Sequence, residues 1–319
     1  MLGPSAGPSP VRVRVGTIGE VACRLLDDEA VAALTAGDAV HAMREAVRAG
    51  HAGQLWAPAR VRAELNDLVY VFTVGALEHG PSGFRAYRAG SPEGDQLVAV
   101  WDQEGDLVGV IVGDELGARR TGALGAVATD ALARRDARAV AVIGSGHQAW
   151  TQLWALTAVR EVERVAVFSP NDRRRRQFAA RAEAELAVRA TTADTANAAL
   201  AGAEVIILAT HAASPVIDAG HVEPGAHVVT VGPKTIDRHE TPIELAERAS
   251  VISCDSPAQA RAYGTPFFTG SLPLVDLGAI LAGAHPGRQT PQEITLHCSV
   301  GLAGTEVLLA QRLLETAPV

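Results

Sequence analysis

The sequence predicts an α/β fold centred on a doubly wound parallel sheet, and three observations carry that reading. From Arg120 onward, short β-branched apolar segments alternate with helical ones, the pattern of strands joined by crossover helices. The first of these strands, beginning at Arg138, runs without a break into Gly144-Ser145-Gly146-His147-Gln148-Ala149. Before Arg120 the texture changes to successive strands, which predicts a separate α+β domain with a mostly antiparallel sheet.

In chain order, residues 1–10 lack the apolar stretch of a secretion signal and are expected to form a loose tail. Asp27 or Asp28 caps a first helix, and Asp38 caps a second that runs to residue 49. Strands are expected at 59–64, 68–74, 84–87, 96–102 and 107–112, with Gly105 turning the last pair and a glycine-rich loop over 75–83. A helix over 121–134 feeds the first parallel strand, and a helix over 147–158 follows the glycine turn. Further strands are expected at 164–168, 204–209, 226–231, 250–253 and 293–298. A last helix ends near Glu315 and returns to the first domain, so the division is 1–120 with 300–319 against 121–299.

Composition excludes several classes. The chain has 319 residues, is 48% hydrophobic and holds no apolar run of about eighteen residues, so no membrane span is expected. A formal net charge of −8 argues against nucleic acid as a partner. Cys23, Cys254 and Cys298 are too scattered for a disulfide framework or a paired-cysteine metal site. The ten histidines show no H-x-x-x-H spacing, so no metal is expected. The profile is that of a cytoplasmic globular protein. Gly232-Pro233-Lys234-Thr235 is not a nucleoside-triphosphate loop, because Pro separates Gly from Lys and the upstream Gly is missing.

The glycine turn predicts a dinucleotide site. Gly144 permits the tight strand-to-helix turn, Gly146 leaves room for a pyrophosphate, and Ala149 lets the helix pack closely on the strand. Ser145, His147 and Gln148 stand at the helix N-terminus, whose free N–H groups and positive dipole end attract phosphate. At the end of the second parallel strand an acidic residue would bind a ribose 2′-hydroxyl, but this chain has Ser169. Asn171 and the arginine run containing Arg173 and Arg174 follow. A neutral hydroxyl backed by guanidinium groups suits a 2′-phosphate, so NADP(H) is favoured over NAD(H), with Asp172 the one group able to reverse that choice.

Several of these features occur together in one known family. Arg120-Thr121, the Gly-Ser-Gly-His-Gln-Ala turn, Val231-Gly232, Gly287-Arg288 before Glu293-Ile294-Thr295, and Ser299-x-Gly301 make the chain resemble the ornithine cyclodeaminase and mu-crystallin family over nearly its whole length. The resemblance implies a homodimer paired through the first domains, and a nicotinamide facing a small amino- or imino-acid substrate. It implies that Arg60 and Arg120 bind the substrate carboxylate, as planar guanidinium groups do with two parallel hydrogen bonds. It places Thr121, Ala209, Thr210, His211, Val231, Gly232, Ser299 and Gly301 around the cofactor. His79, in the loop over 75–83, is a candidate for shaping the substrate pocket.

Three departures from the family pattern bear on chemistry. The family's strand lysine is Arg85, the aspartate two residues beyond Val-Gly is Lys234, and Glu306 stands where an aspartate is common. The change at Lys234 removes the group that would pair with a distal ammonium, which argues against ornithine. Among 28 basic residues Lys234 is the single lysine, so this position resists replacement by arginine. The expectation is that Lys234 faces the nicotinamide and moves a proton at the substrate nitrogen, with Arg60, Arg85 and Arg120 holding the carboxylate. The predicted activity is an NAD(P)H-dependent oxidoreductase acting at the C–N bond of a small amino or imino acid. The alternatives are an NAD+-using cyclodeaminase and a binding protein without turnover, of the mu-crystallin type.

Overall fold

A computed structural model describes residues 14–18, 21–90, 96–263 and 265–316; the expected N-terminal tail lies outside them. The first half contains β1 (Arg14–Ile18), β2 (Val21–Leu26), α1 (Asp28–Ala32), α2 (Ala36–His51), β3 (Leu55–Trp56), β4 (Val61–Leu65), β5 (Leu68–Leu77), β6 (Ser82–Arg88), β7 (Leu97–Trp101) and β8 (Leu107–Val112). Its eight strands form one sheet in the order β1-β2-β8-β7-β6-β5-β3, with β4 also on β5. All pairs are antiparallel except β2 with β8.

Local chemistry corrects two expectations here. Asp27 caps α1, but α2 begins one turn earlier than Asp38 because the Thr35 hydroxyl accepts from the Asp38 N–H at 3.1 Å and donates to its carboxylate at 2.6 Å. The glycine-rich stretch over 75–83 is the tip of the β5–β6 hairpin, where Gly75 pairs with Gly83. A side chain on Gly75 would collide with the backbone of Gly304, so glycine there permits a close approach of strand to chain.

Register sets the two faces of this sheet. Thr73 pairs with Arg85 and Val71 with Tyr87, and alternation sends these four inward. Phe72 and Val74 point outward, and with Trp56, Val61, Leu65 and Leu68 they leave an exposed apolar face.

Helix α3 (Glu115–Leu132) leads into the second sheet. That half contains β9 (Ala139–Ile143), α4 (His147–Leu156), β10 (Arg164–Phe168), α5 (Asp172–Leu186), β11 (Arg189–Thr192), α6 (Ala196–Ala199), β12 (Val205–Leu208), β13 (His227–Thr230), the hairpin β14 (Lys234–Thr235) and β15 (Arg238–His239), α7 (Ile243–Arg248), β16 (Val251–Cys254), α8 (Pro257–Arg261), β17 (Val275–Asp276), α9 (Leu277–Leu281) and β18 (Thr295–Cys298). The sheet order is β11-β10-β9-β12-β13-β18-β16-β17 and every pairing is parallel. Strand order reverses between β9 and β12, and the crevice at the carboxyl ends of such strands is where α/β sheets bind ligands.

The last helix, α10 (Thr305–Thr316), returns to the first sheet. Its Val307, Leu309 and Leu313 join Met43, Val47, Val98, Ile111, Leu124 and Val127 in one core. Helix α3 therefore packs on α2 and α10 on one side and on α4 on the other. Among the described residues, no helix is long and apolar enough to cross a membrane, and no cluster of residues is arranged to hold a metal.

Candidate active site

The glycine turn has the geometry its sequence requires. Gly144 sits at φ 118°, and a Cβ there would also collide with the Ala209 carbonyl, so only glycine fits. Gly146 has an ordinary extended backbone, φ −90°, and a Cβ on it would meet nothing within 4 Å. Its lack of a side chain thus serves no contact among the described residues. Gly146 caps α4 without a side-chain hydrogen bond, leaving the first N–H groups of that helix for a ligand. These features fit a dinucleotide pyrophosphate.

Next to the turn, the Ser145 hydroxyl donates to the Ser169 hydroxyl at 2.9 Å, joining the ends of β9 and β10. Asn171 is the N-cap of α5, accepting from the Arg174 N–H at 2.9 Å. Asp172 is engaged by Arg175 at 3.0 Å and Arg176 at 2.8 Å, whereas exposed Arg173 and Arg174 form no ion pair among the described residues. His147 binds Glu115 at 2.7 Å, and that hydrogen bond raises the imidazole pKa. Burial alone would raise the Glu115 pKa, but hydrogen bonds from His147 and Arg119 outweigh it and bring the value to about 2.

Between the sheets lies a cavity of about 300 Å³ whose wall brings together Arg60, Arg85, Arg120, Thr121, Gln148, Val231, Ser299 and Gly301. Gly301, at φ 88°, is flanked by two of the arginines: a Cβ built on it would lie 3.1 Å from Arg60 Nη2 and 3.2 Å from Arg120 Nη1. Asp255 holds this segment by accepting the Val300 and Gly301 N–H groups at 2.7 and 2.9 Å. Arg60 donates from Nη2 to the Val300 carbonyl. On the same wall Arg60 Nε, Arg120 Nε, Thr73 Oγ1 and Gln148 Oε1 are buried and have no hydrogen-bond partner among the described residues. Buried polar groups are costly when unsatisfied, and these four atoms are available to a polar ligand in the cavity.

Glu306, on the first turn of α10, is the acidic member of the wall. Its Oε1 binds Arg85 Nη1 at 2.9 Å and Arg120 Nη2 at 2.8 Å. Burial alone would raise its pKa, but the two guanidinium groups prevail and hold the carboxyl below its usual range. The sequence marked Glu306 only as a departure, because its partners lie far away in the chain. Tyr87, Thr73 and Tyr263 also line the cavity and carry no sequence signal of their own.

Three expected site residues are placed differently. Arg85 reaches the wall but is spent, donating from Nε at 2.8 Å and from Nη2 to Gln96 and from Nη1 to Glu306. It stacks over Tyr87 at 4.4 Å, so it serves as a fixed part of the wall and not as a free anchor or proton donor. His79 is exposed at the β5–β6 hairpin tip, beside a separate surface hollow, because the hairpin carries it away from the cavity. Lys234 does not line the cavity. Only 2% exposed, it donates from Nζ to the Gly232 carbonyl at 2.5 Å, and burial lowers its pKa. Ala209, Thr210 and exposed His211 follow the end of β12, and Val231 and Gly232 follow the end of β13.

Comparison with known proteins agrees with this architecture. A delta(1)-pyrroline-2-carboxylate reductase from Bacillus cereus is 30% identical over 223 residues, covering 67% of this chain and 68% of its own. The structure of Thermococcus litoralis delta(1)-pyrroline-2-carboxylate reductase in complex with NADH and L-proline superposes with a TM-score of 0.79 at 26% identity, over 91% of this chain and 96% of that one. An archaeal alanine dehydrogenase dimer with bound NAD gives a TM-score of 0.79 at 25% identity, over 91% and 94%. The pattern of the ornithine cyclodeaminase/mu-crystallin family matches residues 88–317, and the chain belongs to that family.

Proposed function

We propose that this protein is an NADP(H)-dependent oxidoreductase that reduces the C=N bond of a small carboxylate-bearing imino acid. The carrying observation is that Arg60 and Arg120 converge on Gly301 in a cavity that also contains Gln148 of the dinucleotide turn. Two guanidinium groups with unpartnered buried nitrogens grip a carboxylate and fix the adjacent carbon. Reduction transfers a hydride to the imine carbon, and the nitrogen carries the proton; a nicotinamide supplies that hydride when bound. Glu306, kept ionised, contributes the negative charge that lets the wall accept a protonated imine nitrogen.

The 2′-phosphate preference is supported by Ser169 in place of a carboxylate, by the engagement of Asp172, and by Arg173 and Arg174, which form no ion pair among the described residues. We assign residues 1–120 and 300–319 to substrate binding and dimerisation and 121–299 to the dinucleotide. The exposed face of Trp56, Val61, Leu65, Leu68, Phe72 and Val74 supports a homodimer paired through the first sheet. Three free cysteines suit a reducing compartment, the cytoplasm.

The test is loss of NADPH absorbance, with NADH in parallel, against cyclic imino acids and against 2-keto acids mixed with ammonia or amines. Turnover is expected with NADPH and at least one imino acid. NADPH binding without oxidation across the panel would favour the non-catalytic reading, and absence of binding would overturn both.

A further inference from the structure

Glu240 follows β15, is fully buried, and carries no role in the site described so far. Its Oε1 accepts hydrogen bonds from Thr230 Oγ1 at 2.7 Å, the Val231 N–H at 3.2 Å and the Gly232 N–H at 2.6 Å. Its Oε2 accepts from the Thr210 N–H and hydroxyl, both at 2.7 Å. One carboxylate thus ties the exit of β12 to the exit of β13 at the carboxyl edge of the parallel sheet. Lys234 completes the arrangement from the other side, because its Nζ donates to the Gly232 carbonyl. Gly232 is therefore held through its N–H by Glu240 and through its C=O by Lys234. The buried, compact ammonium at this point explains why the position is lysine in a chain that otherwise uses arginine: a planar guanidinium is larger and aims its donors as a fork.

In doubly wound sheets one half of a dinucleotide lies over the first strands and the other half over the strands beyond the switch point. Here those later strands are β12 and β13, with β18 beside them. We propose that Glu240, backed by Lys234, is a positioning residue that fixes the gap between the ends of β12 and β13 for the nicotinamide half of the cofactor. This rests on the dinucleotide reading given above. A glutamine at this position has a single acceptor oxygen. Its amide nitrogen would face either the Thr210 N–H or the Val231 and Gly232 N–H groups, donor against donor, and one strand end would be released.

The test compares two probes by fluorescence titration: NADPH, and 2′-phospho-ADP-ribose, which lacks the nicotinamide. In Glu240→Gln the dissociation constant for NADPH should rise about tenfold or more, while that for 2′-phospho-ADP-ribose stays within about twofold. Thr230→Val removes one of the five bonds by changing a side chain whose hydrogen bond goes to Glu240, while the Thr230 carbonyl keeps its bond from the Ser299 N–H at 3.1 Å. It should shift the NADPH constant in the same direction by about threefold, again sparing the fragment, and it decides the matter if Glu240→Gln fails to fold. Equal weakening of both probes, or of neither, would overturn the positioning role while leaving the dinucleotide reading intact. A wild-type protein that binds neither probe would overturn the dinucleotide reading itself, and the inference with it.

Discussion

The pair of glycines in the turn offers a discriminating experiment, because Gly144 is required by the fold and Gly146 is not. In Gly146→Ala the backbone already has a conformation alanine adopts, and the new methyl meets nothing within 4 Å. Alanine is a poorer N-cap than glycine, by roughly 0.5–1 kcal/mol, and it regains about the same amount by restricting the unfolded chain. Stability should therefore stay within about 0.5 kcal/mol of wild type, under about 2 °C in Tm. If a pyrophosphate passes over this residue, the methyl displaces it from at least one charged N–H···O bond worth about 2 kcal/mol. NADPH affinity should then fall about 30-fold. Gly144→Ala should behave oppositely: positive φ and the collision with the Ala209 carbonyl together cost several kcal/mol, on the order of 3, and the protein should melt much earlier. Fluorescence titration with NADPH beside thermal melts of both variants decides it. Unchanged NADPH binding in Gly146→Ala would refute the argument that this open space belongs to the phosphates.

Other consequences are equally accessible. Arg120→Lys should lower kcat/KM by about 30-fold or more in steady-state assays, since a lysine cannot grip a carboxylate and Glu306 together in a planar fork. Replacing exposed Arg173 and Arg174 together by alanine should weaken NADPH binding about tenfold, leave NADH binding unchanged and not alter Tm. Phe72→Glu, on the outer apolar face, should convert a dimer to monomers in light scattering. The Glu115–His147 pair gives a pH signature. The lowered Glu115 pKa contributes stability that is complete above about 4.5 and is lost as pH falls toward about 2, whereas the raised His147 pKa contributes stability that is complete below about 6.5 and is lost as pH rises through the folded value. Thermal melts across pH should show Glu115→Gln furthest below wild type between about pH 4.5 and 6.5, narrowing on both sides; a constant difference would refute the coupling.

Much of the fold was legible because its signals are local. The strand at 164–168 and that at 107–112 have the bounds the sequence predicts, since each is an apolar run bounded by turn residues. The cap at Thr35 went unread because Asp38, three residues on, carries the same capping chemistry. The short strands β3, β11 and β17 owe their existence to neighbours in the sheet and have little signal alone. In the site, the glycine turn could be read from its motif, and Arg60 and Arg120 were marked by the family resemblance. The state of Arg85 could not, because it depends on Glu306, 221 positions away. For the same reason Lys234 was identified as unusual by composition, while what holds it required the folded hairpin of β14 and β15.

Helix α3 touches α4 through residues without side chains: a Cβ on Gly122 would strike the Thr151 carbonyl, and one on Gly125 the Gln152 amide. Gln152 Nε2 also donates to the Thr121 carbonyl at 2.9 Å. One of these helices carries Arg120 and the other begins at the glycine turn, so under the proposed function their contact acts as a ruler between carboxylate and phosphate sites. Its length is set by backbone meeting backbone at Gly122 and by the Gln152 amide lying against Gly125. Enlarging Gly122 would lengthen the ruler, and a misplacement of about 1 Å between reacting partners can cost on the order of a hundredfold in rate. The spacing between Arg120 and the glycine turn is thus written into a helix face that lies outside the cavity wall.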